Sequence, residues 1–168
     1  KPAQPSEEAI SSSLTSGFQG DTIQLVTFRL GQEEFAVDLL KLREIIKIIP
    51  ITKVPCSERY VEGAINLRGS IIPVINMRAR FDMPPKAFDS ETRIINMDVD
   101  NLVIGFIVDS IGQVRRIPAN SVEPPPPVVA SVDAEYISGI SNLDDRLLII
   151  LDVGKVLSEE TLRNLAQL

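Results

Sequence analysis

Few side chains in this sequence are equipped for chemistry. Histidine is absent from the 168 residues and Cys56 is the only cysteine, which removes the commonest general base, the commonest metal ligand and any Cys/His nucleophile pair. A single thiol forms no intrachain disulfide and fits a reducing compartment. Cys56 follows Pro55 with no neighbouring base, so an inert thiol is the default. Carboxylates do come in pairs, Asp98 with Asp100 and Asp144 with Asp145. Each pair stands at an expected turn, where Asp is favoured for local backbone hydrogen bonding, and no nucleophile or cofactor signature accompanies it. No acidic run has the ligand spacing of a calcium loop. The expectation is a protein that is not an enzyme, with no catalytic residue, no metal and no cofactor.

Glu44 and Arg68 are the pair that stands out. Glu44 sits among Leu42, Ile45 and Ile46, whose apolar character calls for burial, and Arg68 occupies a turn between two apolar runs. If the fold brings them together, each explains why the other is tolerated; a surface ion pair worth about 0–1 kcal/mol, or two unconnected solvated charges, is the plainer alternative. Gly63, Gly69, Gly105 and Gly139 read as backbone requirements, positive φ at turns and close strand approach at Gly105. Arg68-Gly69 is not a phosphate loop, because no second glycine, Lys-Ser/Thr pair or long helix follows it.

The charge balance narrows the partners. Net charge is -6, which argues against a nucleic-acid duplex or a membrane surface as partner, since both reward a dense Lys/Arg face. Six Phe, two Tyr and no Trp provide poorly for stacking on bases. There is no apolar run of about 18 residues and no signal-peptide pattern, so the chain reads as soluble, cytoplasmic and without membrane insertion. It begins with Lys1 rather than Met, and a trimmed leader stays open.

The elements that must position Glu44 and Arg68 are strands, and they come twice. Gly63, Asn66-Leu67 and the strand from Ser70 recur at an offset of 76 as Gly139, Asn142-Leu143 and the strand from Arg146. Val37-Asp38 and Ile46 recur at an offset of 71 as Val108-Asp109 and Ile117. The five-residue difference falls in the segment holding Pro124 to Pro127, read as a proline-stiffened insertion crossing a surface rather than a ligand for an SH3-type groove. Two copies are too few for a solenoid and suit a pair of small barrels. The 44% hydrophobic content, mostly Ile, Val and Leu, predicts an aliphatic, strand-rich core.

In order, residues 1–20 read as a mobile lead-in. A hairpin is expected over Ile23 to Val37 around Gly31-Gln32, and a helical turn at Leu39 runs into a strand through Ile49. Ser57 caps a short helix through about Glu62. Ser70 to Met77 is a strand that Pro73 assigns to an edge or a bulge. Residues 82–91 separate two halves, and Thr92 to Val108 is a second hairpin across Asp100-Asn101. Gln113 to Ile117 and Arg146 to Val153 complete the strands. A terminal helix over 158–168 docks through Leu162, Leu165 and Leu168.

Val37-Asp38, Glu44-Ile45, Asn66-Leu67-Arg68-Gly69, Pro73-Val74-Ile75, Val108-Asp109 and Tyr136 to Gly139, in this order, resemble the bacterial chemotaxis coupling family of CheW-like domains over residues 21–157. The resemblance implies an all-β fold with short helices: two intertwined, five-stranded SH3-like barrels. It implies a non-catalytic scaffold that bridges the cytoplasmic tip of methyl-accepting chemoreceptors to the regulatory domain of the histidine kinase CheA, recruited to membrane-associated arrays. By motif match Glu44 and Arg68 fall on the family's charged pair in the receptor-facing region, with Leu42 and Gly63 beside it. Val114 falls near the groove between the barrels. A coupling-like domain within a larger protein, such as a receiver-bearing hybrid or the kinase itself, is the second reading; a small-molecule or nucleic-acid-binding barrel is the third.

Overall fold

The alternation of branched aliphatics with polar residues is realised as strands throughout the computed structural model, which describes residues 21–130 and 132–168. The expected lead-in over residues 1–20 lies outside the described residues. The strands are β1 (Thr22–Leu30), β2 (Glu33–Asp38), β3 (Leu42–Lys47), β4 (Val61–Leu67), β5 (Ser70–Asn76), β6 (Arg93–Val99), β7 (Leu102–Val108), β8 (Ser110–Pro118), β9 (Val128–Val129), β10 (Val132–Asp133), β11 (Ile137–Leu143) and β12 (Arg146–Leu151). Among the described residues three short α-helices accompany them, α1 (Met77–Arg80), α2 (Val153–Val156) and α3 (Glu159–Leu165), with 3-10 turns at Leu39–Lys41, Ala119–Ser121 and Ala134–Tyr136.

Two five-stranded sheets result, ordered β11-β12-β2-β1-β8 and β4-β5-β7-β6-β3. Written this way, each strand of one sheet stands beside its sequence twin in the other. The sheets are also exchanged. The hairpin β1-β2 shares a sheet with β8, β11 and β12, and the hairpin β6-β7 shares one with β3, β4 and β5. The joints are two parallel ladders, Val74 to Asn76 beside Gly105 to Ile107 and Leu148 to Ile150 beside Glu34 to Ala36.

Exchange makes the core common property. The largest buried cluster takes Phe28 and Phe35 from the first hairpin, Ile104 and Phe106 from the second, and Ile149 and Leu151 from β12. Phe28, Phe35, Phe81 and Tyr136, scattered in sequence, form a continuous series of rings with centroids 5.7, 6.1 and 6.2 Å apart. The opposite face of each sheet buries a smaller aliphatic cluster of its own: Leu25, Ile117 and Leu148 in one, Ile65, Ile72 and Ile94 in the other. Burying one such side chain stabilises by about 1.5–3 kcal/mol.

Several expectations need correction. The helix expected from Ser57 to Glu62 is absent: Val61 and Glu62 already belong to β4. Ladder pairing with β5 and a bridge between Thr52 and Ala64 draw the segment into the sheet and override its local cap signal. Pro73 is not on an edge, because β5 lies between β4 and β7. Opposite Pro73, Ala64 exchanges its backbone bonds with Thr52 instead of β5, so the proline nitrogen faces β7. There the parallel ladder begins only at Val74, and no donor is missed. The strand also ends one residue early, where the Asn76 side chain caps α1 by accepting from the Ala79 N–H. At the C-terminus Ser158 caps α3 by accepting from the Thr161 N–H. Leu162 and Leu165 are buried as expected, but Leu168 lies beyond the helix and is exposed.

Candidate functional site

β3 and β4 are the outermost strands of their sheet, four strand spacings apart, roughly 19 Å if the sheet were flat. Yet the Arg68 guanidinium donates to the Glu44 carboxylate. The sheet is therefore curled until its two ends meet. At the other end of the same opening, Thr52, on the continuation of β3, exchanges two backbone hydrogen bonds of 2.8 Å with Ala64 of β4. That contact requires Gly63, where a Cβ would stand 2.2 Å from the Thr52 carbonyl oxygen and φ is +151°.

Local chemistry sets both partners in place. Arg68 and Gly69 form the two-residue turn between β4 and β5, with φ of +52° and +89°, the backbone of a tight hairpin. Asn66 Oδ1 accepts from the Gly69 N–H at 3.0 Å and holds the turn. Glu44 follows a bulge in β3 between Leu42 and Glu44, which re-aims the strand at its edge. Arg68 remains largely exposed, and the hydrogen bond from its guanidinium to Glu44, followed by the carboxylate's charge, raises its pKa further.

Beside the pair lies a cleft of about 460 Å³. Arg43, Glu44 and Arg68 supply its polar rim, and Leu67, Ile72 and Leu102 its apolar wall. Ile71, next to the turn, is an exposed large hydrophobic residue. A cleft of mixed polar and apolar lining with an ion pair at its lip is suited to recognising a protein surface.

Of the residues singled out in the sequence, Glu44 and Arg68 come together, and Leu42, Gly63 and Val114 do not line this cleft. Leu42 packs on the shared core, and Gly63 is buried beneath the Thr52 bridge. Val114 is 59% exposed on the edge strand β8, in register with Val26. Gly69 occupies its turn; Gly105 admits Ile94 and Asn96, whose atoms would lie 2.7 and 2.8 Å from a Cβ. Gly139 is not at a turn and has no positive φ: it lies within β11 beside a bridge between Glu123 and Ile140, where a Cβ would stand 2.3 Å from the Val122 side chain. Asn96 went unnoticed in the sequence. It is 1% exposed, lines the cleft, and neither its Oδ1 nor its Nδ2 has a hydrogen-bond partner. Its signal was a carboxamide inside the strand Ile94-Ile95-Asn96-Met97, where Asn is disfavoured.

A duplicated, exchanged pair of curled sheets with an ion pair at the lip of a cleft of mixed polarity suits a protein-binding scaffold. A CheW-like domain model matches residues 24–161. The chain is 36% identical over 152 residues to the chemotaxis protein CheW of Treponema pallidum, covering 88% of this chain and 89% of the relative. It is 32% identical over 147 residues to CheW of Klebsiella aerogenes, covering 86% and 89%. The crystal structure of the scaffolding protein TtCheW from Thermoanaerobacter tengcongensis superposes with a TM-score of 0.76 at 35% identity, covering 83% of this chain and 90% of that one. The chain belongs to the CheW-like family, and it is a scaffold of the bacterial chemotaxis machinery. No helix among the described residues is long and apolar enough to cross a membrane.

Proposed function

We propose that this protein couples the cytoplasmic tip of methyl-accepting chemoreceptors to the regulatory domain of the histidine kinase CheA, in the cytoplasm and without catalysing a reaction. The observation that carries the reading is the Glu44–Arg68 pair joining the two ends of a curled sheet over a cleft of mixed polar and apolar lining. A receptor tip is a helical hairpin; the cleft accepts its apolar side chains while the charged lip fixes register. Leu42 and Gly63 support this region from within the sheet. Val114 and the exposed edge of β8 offer an aliphatic strand edge for docking to the barrels of the kinase. Each contact is modest alone and gains strength through multivalency in an array.

The test is receptor-dependent kinase activation in a reconstituted mixture of receptor membranes, CheA and this protein. Arg68→Glu places two carboxylates at the lip and lowers activation about tenfold or more while leaving the circular dichroism spectrum unchanged. Full activation by the variant overturns the assignment.

A further inference from the structure

The internal repeat does not extend to α3. At the offset of 76 that carries α1 onto α2, the counterpart of Glu159–Leu165 is the segment 83–89, which contains no helix. α3 is an addition to the second unit, and it is firmly placed. Leu162 and Leu165 are buried in the shared core, and Thr161, 1% exposed, shares a hydrogen bond of 3.2 Å with the Tyr60 hydroxyl. The far end of α3 then reaches the cleft of Glu44 and Arg68, where Leu165, Ala166 and Leu168 form part of the lining. Leu168 is held there by its N–H, which donates to the Leu165 carbonyl at 3.3 Å.

The core claims neither Leu168 nor Ile71. They are 45% and 55% exposed, two of the six large hydrophobic side chains left exposed among the described residues, and both line this one cleft. A single exposed aliphatic residue is ordinary, whereas two from distant segments converging on one concavity make a contact surface. The charged groups of the lining are also unbalanced. Arg43 and Arg68 stand against Glu44 alone, a local cationic excess on a chain of net charge -6. Their side chains stay 58% and 69% exposed, although Arg43 lies 3.6 Å from Asp98 and Arg68 is bonded to Glu44.

We propose that the end of α3 is a partner-contact element, in which Leu168 and Ile71 grip one large apolar side chain of the docked receptor helix while Arg43 and Arg68 favour a carboxylate on that helix. An apolar residue and a carboxylate three or four positions apart share one helix face, so a single turn presents both. Complementary charge then sets orientation, and the apolar contact supplies the burial.

This inference rests on the receptor-docking reading above, and the experiment separates the two. A soluble receptor cytoplasmic fragment is titrated against the full chain and its Arg68→Glu, Leu168→Asp and Leu168→Lys variants, with thermal unfolding measured in parallel. Leu168→Asp is expected to bind at least about tenfold more weakly with its melting temperature within about 2 °C of wild type, because the core does not use this side chain. Leu168→Lys is expected to lose less, since the docked surface is acidic. Ile71→Ala and Leu168→Ala combined lose less than the sum of their separate effects, the mark of one shared contact. Failure of the wild-type chain to bind the fragment, or undiminished binding by both Arg68→Glu and Leu168→Asp, removes the docking reading and this inference with it. Binding that Arg68→Glu abolishes and Leu168→Asp leaves intact overturns the inference alone. So does a greater loss for lysine than for aspartate, or a fall of several degrees in melting temperature for Leu168→Asp, which assigns Leu168 to the packing of α3. Intact receptor binding with lost binding to the CheA regulatory domain gives the surface to the kinase and likewise overturns it.

Discussion

Arg115 is joined to Asp144 across its sheet as Glu44 is joined to Arg68 across the other, with the charges reversed. Both stand on edge strands, β8 and β3, although Arg115 lies opposite Leu25 and Glu44 opposite Asn96, places two residues apart in the ladders. Each reaches the first residue of the turn at the far end of its own sheet. Arg68 donates to Glu44, and Arg115 donates to Asp144 at 3.3 Å, Arg68 and Asp144 being twins at an offset of 76. Asp144 even shares the left-handed backbone, φ +53° against +52°. One geometry is thus built twice with reversed polarity, a means of keeping a partner of one end from the other.

Reversal of charge at the two ends is therefore expected to have unequal effects. Arg68→Glu abolishes co-sedimentation with receptor membranes in the absence of CheA, and Asp144→Lys leaves it within about twofold of wild type. Both pairs have an exposed partner, so thermal midpoints move by no more than about 2–4 °C. Equal losses at both ends would remove the selectivity argued from polarity.

The half-buried link between the chain halves is Arg78 with Asp109. The Arg78 Nε and Nη2 donate to the two Asp109 oxygens at 2.8 and 2.7 Å, Nη1 donates to the Pro84 carbonyl, and the Gly31 N–H donates to Asp109 at 2.8 Å. Asp109→Ala strands a guanidinium and an amide, at a cost of about 2–3 kcal/mol, because both side chains keep some exposure. Urea unfolding measures it.

The same carboxylate gives acid unfolding a sign. Burial pushes Asp109 up, but hydrogen bonds from Arg78 and Gly31 and the charge of Arg78 outweigh it and hold the group below the usual carboxylate range. Asp89, hydrogen-bonded first of all by Lys86, is lowered to about 2. A depressed folded pKa contributes stability above the unfolded value near pH 3.9 and loses it as pH falls through the folded value. Urea midpoints are expected to hold down to about pH 4 and then drop toward pH 2; Asp109→Asn lowers the plateau and flattens that drop. A variant with an unchanged acid limb would exclude Asp109 from it.

Three glycines should rank by what a Cβ meets. Gly63→Ala collides with the Thr52 carbonyl at 2.2 Å, and Gly139→Ala with the Val122 side chain at 2.3 Å and the Glu123 carbonyl at 3.0 Å. Gly69→Ala meets nothing within 4 Å and suffers only its positive φ, at about 1 kcal/mol. Melting temperatures are expected to fall most for Gly63, less for Gly139, where a side chain can yield, and least for Gly69. Hydrogen exchange at Ala64 should accelerate only in the first.

Arg80 is sandwiched between Tyr60 and Tyr136, at 4.9 and 4.6 Å from the ring centroids, and donates to the Val156 carbonyl and the Tyr136 hydroxyl. Arg80→Lys keeps the charge and loses the planar stack, costing about 1–2 kcal/mol. These two are the only tyrosines and there is no Trp, so tyrosine emission reports the change directly.

Much of this was legible beforehand, because it is written in short spacings. The offsets of 71 and 76 carried the duplication, Asp100-Asn101 carried a hairpin and Arg68-Gly69 a turn, and Glu44 and Arg68 do meet, in the exposed ion pair that was the plainer alternative. The helix from Ser57 was misread because a local cap competes poorly with a ladder made by residues far along the chain. Pro73 was misplaced because which side its nitrogen faces depends on Thr52 and Ala64.

Sequence by itself thus determined most of the strands, though not β4 or β11, together with the internal repeat and the chemotaxis scaffold family, since period-2 patterning and turn residues act within a few positions. Only the tertiary structure decided that the hairpins are exchanged between sheets, that Arg78 finds Asp109, that the reversed pair Arg115–Asp144 exists, and that Asn96 is buried without a partner beside a cleft. Those facts depend on which distant segments meet when two curled sheets share one core, and no local spacing encodes a meeting between strands tens of residues apart.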